Sequence, residues 1–111
     1  MNKFSSKTKG VLLSGAFQPE FYDRLKGKDV FLLEGRSDME RTKGACRELN
    51  RRGIVPVMVT DNAAGFLFAR RLVKECWVAY HSVEKEGLLC DIGAMIVGVL
   101  AKAHRVALFA A

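Results

Sequence analysis

The sequence has little of what marks a secreted, metal-binding or membrane-spanning protein. It contains three cysteines and no CxxC spacing, so neither a disulfide framework nor a zinc site is expected. The opening MNKFSSKTKG is basic, but no apolar stretch follows it as in a secretory signal. The longest apolar stretch, residues 92–101, is too short to cross a bilayer. These absences predict a cytoplasmic protein with no membrane contact, no metal and no cofactor.

Charge of one sign is also not concentrated anywhere in the chain. The formal net charge is +6, which favours an anionic partner in general terms. Between residues 36 and 52, however, acidic side chains alternate with the basic ones, and no aromatic side chain suited to base stacking lies among them. A solvated helix face and a phosphate-bearing partner both remain open for this region. Nucleic-acid binding is not expected.

Length and composition predict one folded domain. The chain has 111 residues, half of them hydrophobic, which is enough for one core but not for two. Residues 1–9 are predicted to form a polar arm and residues 10–111 a single domain.

Apolar runs and helical periodicities alternate along that domain. Strands are predicted at Gly10–Ser14, Val30–Leu33, 54–59, 77–80 and 106–110, and helices at Pro19–Leu25, 38–51, 63–74 and 91–103. Such alternation with short connections is typical of right-handed βαβ units. The predicted fold is α/β, a three-layer Rossmann-like parallel sheet of five strands in the order 3-2-1-4-5.

Some residues make that prediction more specific. Pro56 within the third strand argues against a central position in the sheet. Ser37 is a plausible N-cap for the second helix. Cys76 is expected to lie in the core. His104 is interpreted as a structural residue at a helix end. The inner stripe of the second helix is expected to comprise Met39, Thr42, Cys46 and Leu49.

Polar side chains follow four of the predicted strands, namely Ser14, Glu34, Asp61 and His81. Because the carboxyl ends of parallel strands meet at one edge of a sheet, these side chains are expected to gather in one shallow cleft. Asp61 has a second interpretation as the cap of the third helix. The small residues 63–65 permit close packing on the sheet or close approach of a ligand.

Three segments, in this order, resemble a known family: "VFLLEGR", "GIVPVMVTDNAAGFLF" and "IGAMIVGVLAKAHRVALFAA". They are similar to the C-terminal domain of the translation initiation factor 2B alpha/beta/delta-like family, which includes methylthioribose-1-phosphate isomerase and ribose-1,5-bisphosphate isomerase. The resemblance covers residues 10–111. It implies a Rossmann-like domain, a phosphosugar site at the strand ends and dimers built through this domain.

The chain departs from the isomerases of that family at the positions of their catalytic and substrate-binding residues. Their catalytic aspartate lies in a Gly-Ala-Asp-Arg segment, which corresponds here to residues 79–82 and places His81 at the aspartate position. Ser14 and Gly15 stand where the isomerases have a cysteine. Their phosphosugar-facing lysine is lost in the segment containing Asp91. The helical N-terminal domain of the isomerases has no counterpart in these residues, so isomerase activity of the family type is not expected.

The sequence therefore favours a non-catalytic binder of a phosphorylated sugar or nucleotide with a regulatory role. Two alternatives stay open: an isomerase-like enzyme with a reassigned site around His81, and a structural protein-interaction module. Glu34 and Arg36 also have the simpler use of pairing with each other, and Cys90 lies where a helix start would stabilise a thiolate. The predicted ligand-binding residues are Ser14, Gly15, Glu34, Arg36, Asp61, Asn62 and Asp91.

The last helix has almost no polar face between residues 92 and 101. A helix that is apolar all round must be covered on both sides, and the sheet covers only one of them. A homodimer through this helix is the expected solution, with Met95 and Val99 facing outward and Gly98 allowing close approach of the partner.

Overall fold

The computed structural model of the chain describes residues 9–35, 39–90 and 92–111; for residues 81–84, 87–90 and 92 it describes the backbone alone. The strands are β1 Gly10–Ser14, β2 Val30–Leu33, β3 Val57–Val59, β4 Val73–Val78, β5 Tyr80–Glu84, β6 Gly87–Cys90 and β7 Ala107–Ala110. The α-helices are α1 Met39–Arg51, α2 Ala64–Ala69 and α3 Ile92–His104, and 3₁₀ helices span Pro19–Leu25 and Asp61–Ala63.

The main sheet has five parallel strands in the order β3-β2-β1-β4-β7. This is the predicted 3-2-1-4-5 arrangement, and the fold prediction is confirmed. Every residue of β1 and β2 is buried, as expected where helices cover both faces of a parallel sheet. β3 lies at one edge, which explains how Pro56 is tolerated immediately before it.

Two hydrophobic clusters lie on opposite faces of this sheet. Alternation along β1 sends Val11 and Leu13 to one face and Leu12 to the other. The first face is covered by the Pro19–Leu25 helix and α1, and the second by α2 and α3. The three-layer architecture therefore follows from the period-two pattern of the central strands together with a helical stripe on each side.

The region from residue 63 to residue 80 differs from the prediction. The third helix was expected to reach residue 74, but α2 ends at Ala69 and β4 already begins at Val73. The helix stops because Arg71 takes a left-handed conformation (φ 57°), after which the Leu72 N–H donates to the Leu67 carbonyl at 3.0 Å. No glycine or proline marks this stop, so the charged residues that follow look helical in sequence.

The predicted fourth strand, residues 77–80, covers the end of β4 and the first residue of β5. β5 and β6 form a separate two-stranded antiparallel sheet, which was not predicted. The turn between them is Lys85-Glu86, and these residues lack the Asn-Gly or Asp-Gly signature that identifies a tight hairpin in sequence.

Smaller corrections concern single residues. Met39, predicted on the inner stripe of α1, is 43% exposed. Gly98 is half-buried, and a Cβ there would lie 3.8 Å from Leu108 Cδ2 of β7, so its role in the approach of a partner stays a prediction. Cys46 is half-buried and Cys76 fully buried, and both pack against the core clusters as expected. The predicted cap Ser37 lies outside the described residues, and so does nearly all of the predicted arm.

Nothing in the described part of the chain is a helix long and apolar enough to cross a bilayer.

Arg52 ties the Pro19–Leu25 helix to α1. Its guanidinium donates to Asp23 Oδ1 at 2.7 Å, to Glu48 Oε1 at 3.0 Å and to the Pro19 carbonyl at 2.8 Å. The same group lies 5.8 Å from the centre of the Tyr22 ring. The hydrogen bond from Arg52 lowers the pKa of Asp23 below its usual 3.8. One cation thus joins two elements on the same face of the sheet.

This ion pair predicts a pH dependence of folding stability. A carboxyl whose pKa is lowered on folding stabilises the protein above its unfolded pKa, near 3.8, and this stabilisation is lost as the pH falls through the folded pKa. Asp23→Asn should therefore lower the urea midpoint at pH 7, and this effect should shrink as the pH falls through the folded pKa of Asp23. The exposed Asp29→Asn is the matched control, because Asp29 is not one of the acceptors of Arg52, and it should lower the midpoint at pH 7 less than Asp23→Asn does. An equal loss for Asp23→Asn at pH 7 and at acidic pH would contradict the assignment.

Candidate functional site

The polar residues after the first three strands lie at one edge of the sheet. Ser14 ends β1, Glu34 and Gly35 follow β2, and Asp61 lies two residues beyond β3. Parallel pairing brings these strand ends together, and a hydrogen bond links two of them, from the Gly35 N–H to Asp61 Oδ1 at 3.4 Å. We call this group, with the start of α3, the strand-end cleft.

Asp61 does not cap a helix. The 3₁₀ helix Asp61–Ala63 begins after Thr60, and neither this helix nor α2 has a side-chain cap. The carboxylate of Asp61 instead accepts from the backbone of the turn after β2. The capping interpretation of Asp61 is wrong, and its side chain is directed across the strand ends.

Glu34 and Gly35 are held in place from two sides. The Glu34 N–H donates to the Val59 carbonyl at 2.7 Å, which extends the pairing of β2 with β3 beyond β2 itself. The buried Thr42 of α1 donates its hydroxyl proton to the Glu34 carbonyl at 2.6 Å. Gly35 has φ 61°, which a side chain would disfavour. The turn is therefore positioned by its backbone, and the Glu34 carboxylate is not needed to hold it.

The end of β1 is packed closely against its neighbours. The Ala79 N–H donates to the Ser14 carbonyl at 2.9 Å, and Ser14 is 4% exposed. At the start of α3, a Cβ added to Gly93 would lie 3.1 Å from Leu33 Cδ2 and 3.7 Å from Ser14 Oγ. The first turn of α3 thus lies against the ends of β1 and β2, and the absence of a side chain at residue 93 makes that approach possible.

Several predicted site residues fall where the structure gives no side-chain information. Arg36 and Asp91 lie outside the described residues. His81 is the second residue of β5 and Cys90 the last of β6, and only their backbones are described. Their assigned roles in the ligand-binding or catalytic site stay predictions.

An apolar groove of about 540 Å³ opens beside the cleft, between α2 and α3. Asp61 and Asn62 form its polar end, and Met95 and Val99 of α3 are 70% and 69% exposed along it. Nearby, Phe66 of α2 is 56% exposed. The outward position of Met95 and Val99 agrees with the sequence prediction. Phe66 was missed because it lies in the continuous apolar run Phe66-Leu67-Phe68, in which periodicity does not separate buried from exposed residues.

Comparison with known proteins places these features in context. Residues 5–111 match the model of a family described as the Initiation factor 2 subunit family. A relative in Methanocaldococcus jannaschii, a putative methylthioribose-1-phosphate isomerase, is 33% identical over an alignment of 88 residues, and the match covers 77% of this chain and 27% of that protein.

Solved structures with the same fold include two kinds of protein. The 5-methylthioribose 1-phosphate isomerase of Pyrococcus horikoshii OT3 superposes with a TM-score of 0.72 at 19% identity, covering 93% of this chain and 33% of that one. The tetrameric eIF2B-beta2-delta2 complex of C. thermophilum gives a TM-score of 0.67 at 21% identity, covering 93% of this chain and 36% of that one. The chain therefore spans about a third of the length of the proteins it matches.

The close packing at Gly15 generates a testable prediction. Gly15 has φ 94°, and a Cβ there would lie 2.8 Å from the Ala79 Cβ, so Gly15→Ala should lower the free energy of unfolding by about 1–3 kcal/mol. Gly44→Ala is the matched control within α1, where the nearest atom is the mobile end of Arg47 at 3.8 Å. That variant should gain about 0.5–1 kcal/mol. Urea denaturation measures both, and a neutral Gly15→Ala would refute the packing at the end of β1.

Proposed function

Because this chain belongs to the Initiation factor 2 subunit family, we propose that it binds a phosphorylated sugar or nucleotide in the strand-end cleft, with a regulatory and not a catalytic role. The observation that carries the proposal is the convergence of Ser14, Glu34, Asp61 and the start of α3 at one edge of the sheet.

The cleft contains groups suited to the two parts of such a ligand. The first turn of a helix has free backbone N–H groups and a positive dipole end, which bind a phosphate group. α3 has 13 residues and starts at this edge, where Gly93 leaves room above Ser14. Carboxylates such as Glu34 and Asp61 accept hydrogen bonds from sugar hydroxyls. The ligand would then lie with its phosphate toward α3 and its hydroxyls toward the turn after β2.

The residues present do not support the isomerase reaction of the relatives. Moving hydrogen between adjacent carbons of a sugar requires an acid and a base at the reacting atoms. Ser14 occupies the end of β1, where the resemblance implies a cysteine, and a hydroxyl does not ionise near neutral pH. His81 stands at the position where the resemblance implies the catalytic aspartate. This is the basis for a binding role, with a reassigned enzyme centred on His81 as the alternative.

A second candidate function, protein interaction, is favoured by the apolar surface along α3. Met95, Val99 and Phe66 are all more than half exposed, and water-exposed apolar patches of this kind mark association sites. Burying each such side chain contributes roughly 1.5–3 kcal/mol, so a few of them on both partners offset the cost of association. We propose a second copy of this chain as the partner, with α3 facing its symmetry mate across the groove.

Ligand binding is tested by calorimetric titration of the chain with ribose 5-phosphate and AMP. Wild type should bind at least one of them, and Gly93→Ala should bind it at least about tenfold more weakly, because the added methyl group occupies the space beside Ser14 Oγ. Gly98→Ala in the same helix meets only an ordinary contact at 3.8 Å and is the control. Absence of heat with both ligands would overturn the binding proposal. Turnover that disappears in His81→Ala would establish the enzyme alternative.

Self-association is tested by sedimentation velocity at micromolar concentration. Wild type should sediment as a dimer, and Met95→Lys and Val99→Lys as monomers, because a lysine ammonium cannot be buried in an apolar interface without a large desolvation cost. Val55→Lys is a matched control, since Val55 is 68% exposed but lies before β3, away from the groove. It should remain dimeric. A monomeric wild type would show that the face along α3 is not a self-interface.

A further inference from the structure

A cavity of about 610 Å³ lies at the opposite edge of the sheet from the strand-end cleft, where β1, β4 and β7 begin. Five basic side chains line it, while no carboxylate does: Lys9, Arg71, Lys74, His104 and Arg105. They come from separate parts of the chain, namely the residue before β1, the end of α2, the start of β4 and the end of α3. Folding therefore brings together four cationic side chains and one imidazole from separate parts of the chain.

The part of the chain that the structure describes does not neutralise these groups. Among the described residues, salt bridges join Arg51, Arg52 and Lys43 to carboxylates on the other face of the sheet. Within the described part of the chain, none of the five cavity-lining residues takes part in an ion pair. The mutual repulsion of the lysines and arginines is unfavourable in the free protein, and an anion in the cavity would relieve it.

Two of the five residues occupy backbone positions that ordinarily favour glycine. Arg71 ends α2 with φ 57°, and Arg105 ends α3 with φ 56°. On the other face of the sheet, the Pro19–Leu25 helix and α1 are followed by Gly27 and Gly53, with φ 78° and 75°. The chain thus uses glycine after the two helices distant from the cavity and arginine after the two helices that end at it.

The arginine side chains are not needed to end these helices. The Leu72 N–H donates to the Leu67 carbonyl at 3.0 Å, and the Val106 N–H donates to the Ala101 carbonyl at 2.9 Å. These backbone bonds close both helix ends whatever the side chain at the left-handed residue. A basic residue does complement the negative end of a helix dipole. That effect accounts for positive charge near the helix ends but not for Lys9, which precedes β1, or Lys74, which belongs to β4.

We propose that this cavity binds a small anion carrying several adjacent phosphate groups, such as inorganic tripolyphosphate or the triphosphate of a nucleotide. Its volume is in the range of small-molecule sites. Arginine is suited to this ligand because its planar guanidinium donates two parallel hydrogen bonds to phosphate oxygens. The site is separate from the strand-end cleft and does not depend on the function proposed for that cleft.

Calorimetric titration with tripolyphosphate at low salt tests this proposal on a variant that should fold well. Arg71→Gly combined with Arg105→Gly places glycine where the backbone already favours it, so the thermal midpoint should stay the same or rise. Tripolyphosphate affinity should fall at least about tenfold, since each charge-assisted bond to phosphate contributes a comparable factor. Lys43→Gln combined with Arg47→Gln removes the same charge from the exposed surface of α1 and should leave the affinity nearly unchanged.

Other outcomes overturn the proposal. Wild type that does not bind tripolyphosphate, or an Arg71→Gly, Arg105→Gly variant that binds as wild type does, would show that the cavity is not a phosphate site. Equal losses in the α1 control would show diffuse charge attraction and no built site. An oligothymidine that binds far more tightly than tripolyphosphate, and loses affinity in the arginine variant, would assign the surface to nucleic acid instead. Gly93→Ala should leave tripolyphosphate binding intact, and its loss there would place the anion in the strand-end cleft.

Discussion

Parallel pairing of β1 with both β2 and β4 determines where the polar side chains of this protein lie. Because all five strands of the main sheet run in one direction, the residues that follow them meet at one edge and the residues that precede them meet at the other. Glu34 and Asp61 are 27 residues apart in the chain, yet the Asp61 carboxylate accepts from the turn that contains Glu34. The basic residues at strand starts and helix ends meet at the opposite edge for the same reason. Two carboxylates, Glu34 and Asp61, thus lie at one edge, and the basic side chains that line the cavity lie at the other.

Much of this architecture could be predicted from sequence, because the central strands are apolar at every position and helices of ordinary length separate them. The order of strands follows from the handedness of βαβ units, and the edge position of β3 was indicated by Pro56. The strand-end cleft was predicted in outline for the same reason. Its internal hydrogen bonding was not, because Asp61 beside a helix start has the sequence pattern of a cap, and only the fold shows that its acceptor faces Gly35.

Several features could not be predicted from the sequence, because their usual sequence signals are absent or are replaced by other residues. α2 is ended by an arginine in the left-handed conformation and not by a glycine. The sequence pattern therefore predicted a helix that continued into β4. The β5–β6 hairpin turns at Lys85-Glu86, which resembles a helix surface more than a turn. The basic cavity has no linear signature at all, since its residues are spread from Lys9 to Arg105. Exposure along α3 was foreseen because that helix has no polar face, whereas its packing against β7 at Gly98 required the structure.

The central claim is that the strand-end cleft binds a phosphorylated ligand without converting it. A titration of isotope-labelled protein with ribose 5-phosphate, followed by amide NMR, tests it most directly because ligand contact and ligand conversion are recorded in one sample. The account predicts amide shifts concentrated at Gly15, Gly35, Asp61 and Gly93, with the sugar signals unchanged over hours. Shifts confined to the basic cavity at the other edge, or the appearance of a ketose phosphate, would contradict it.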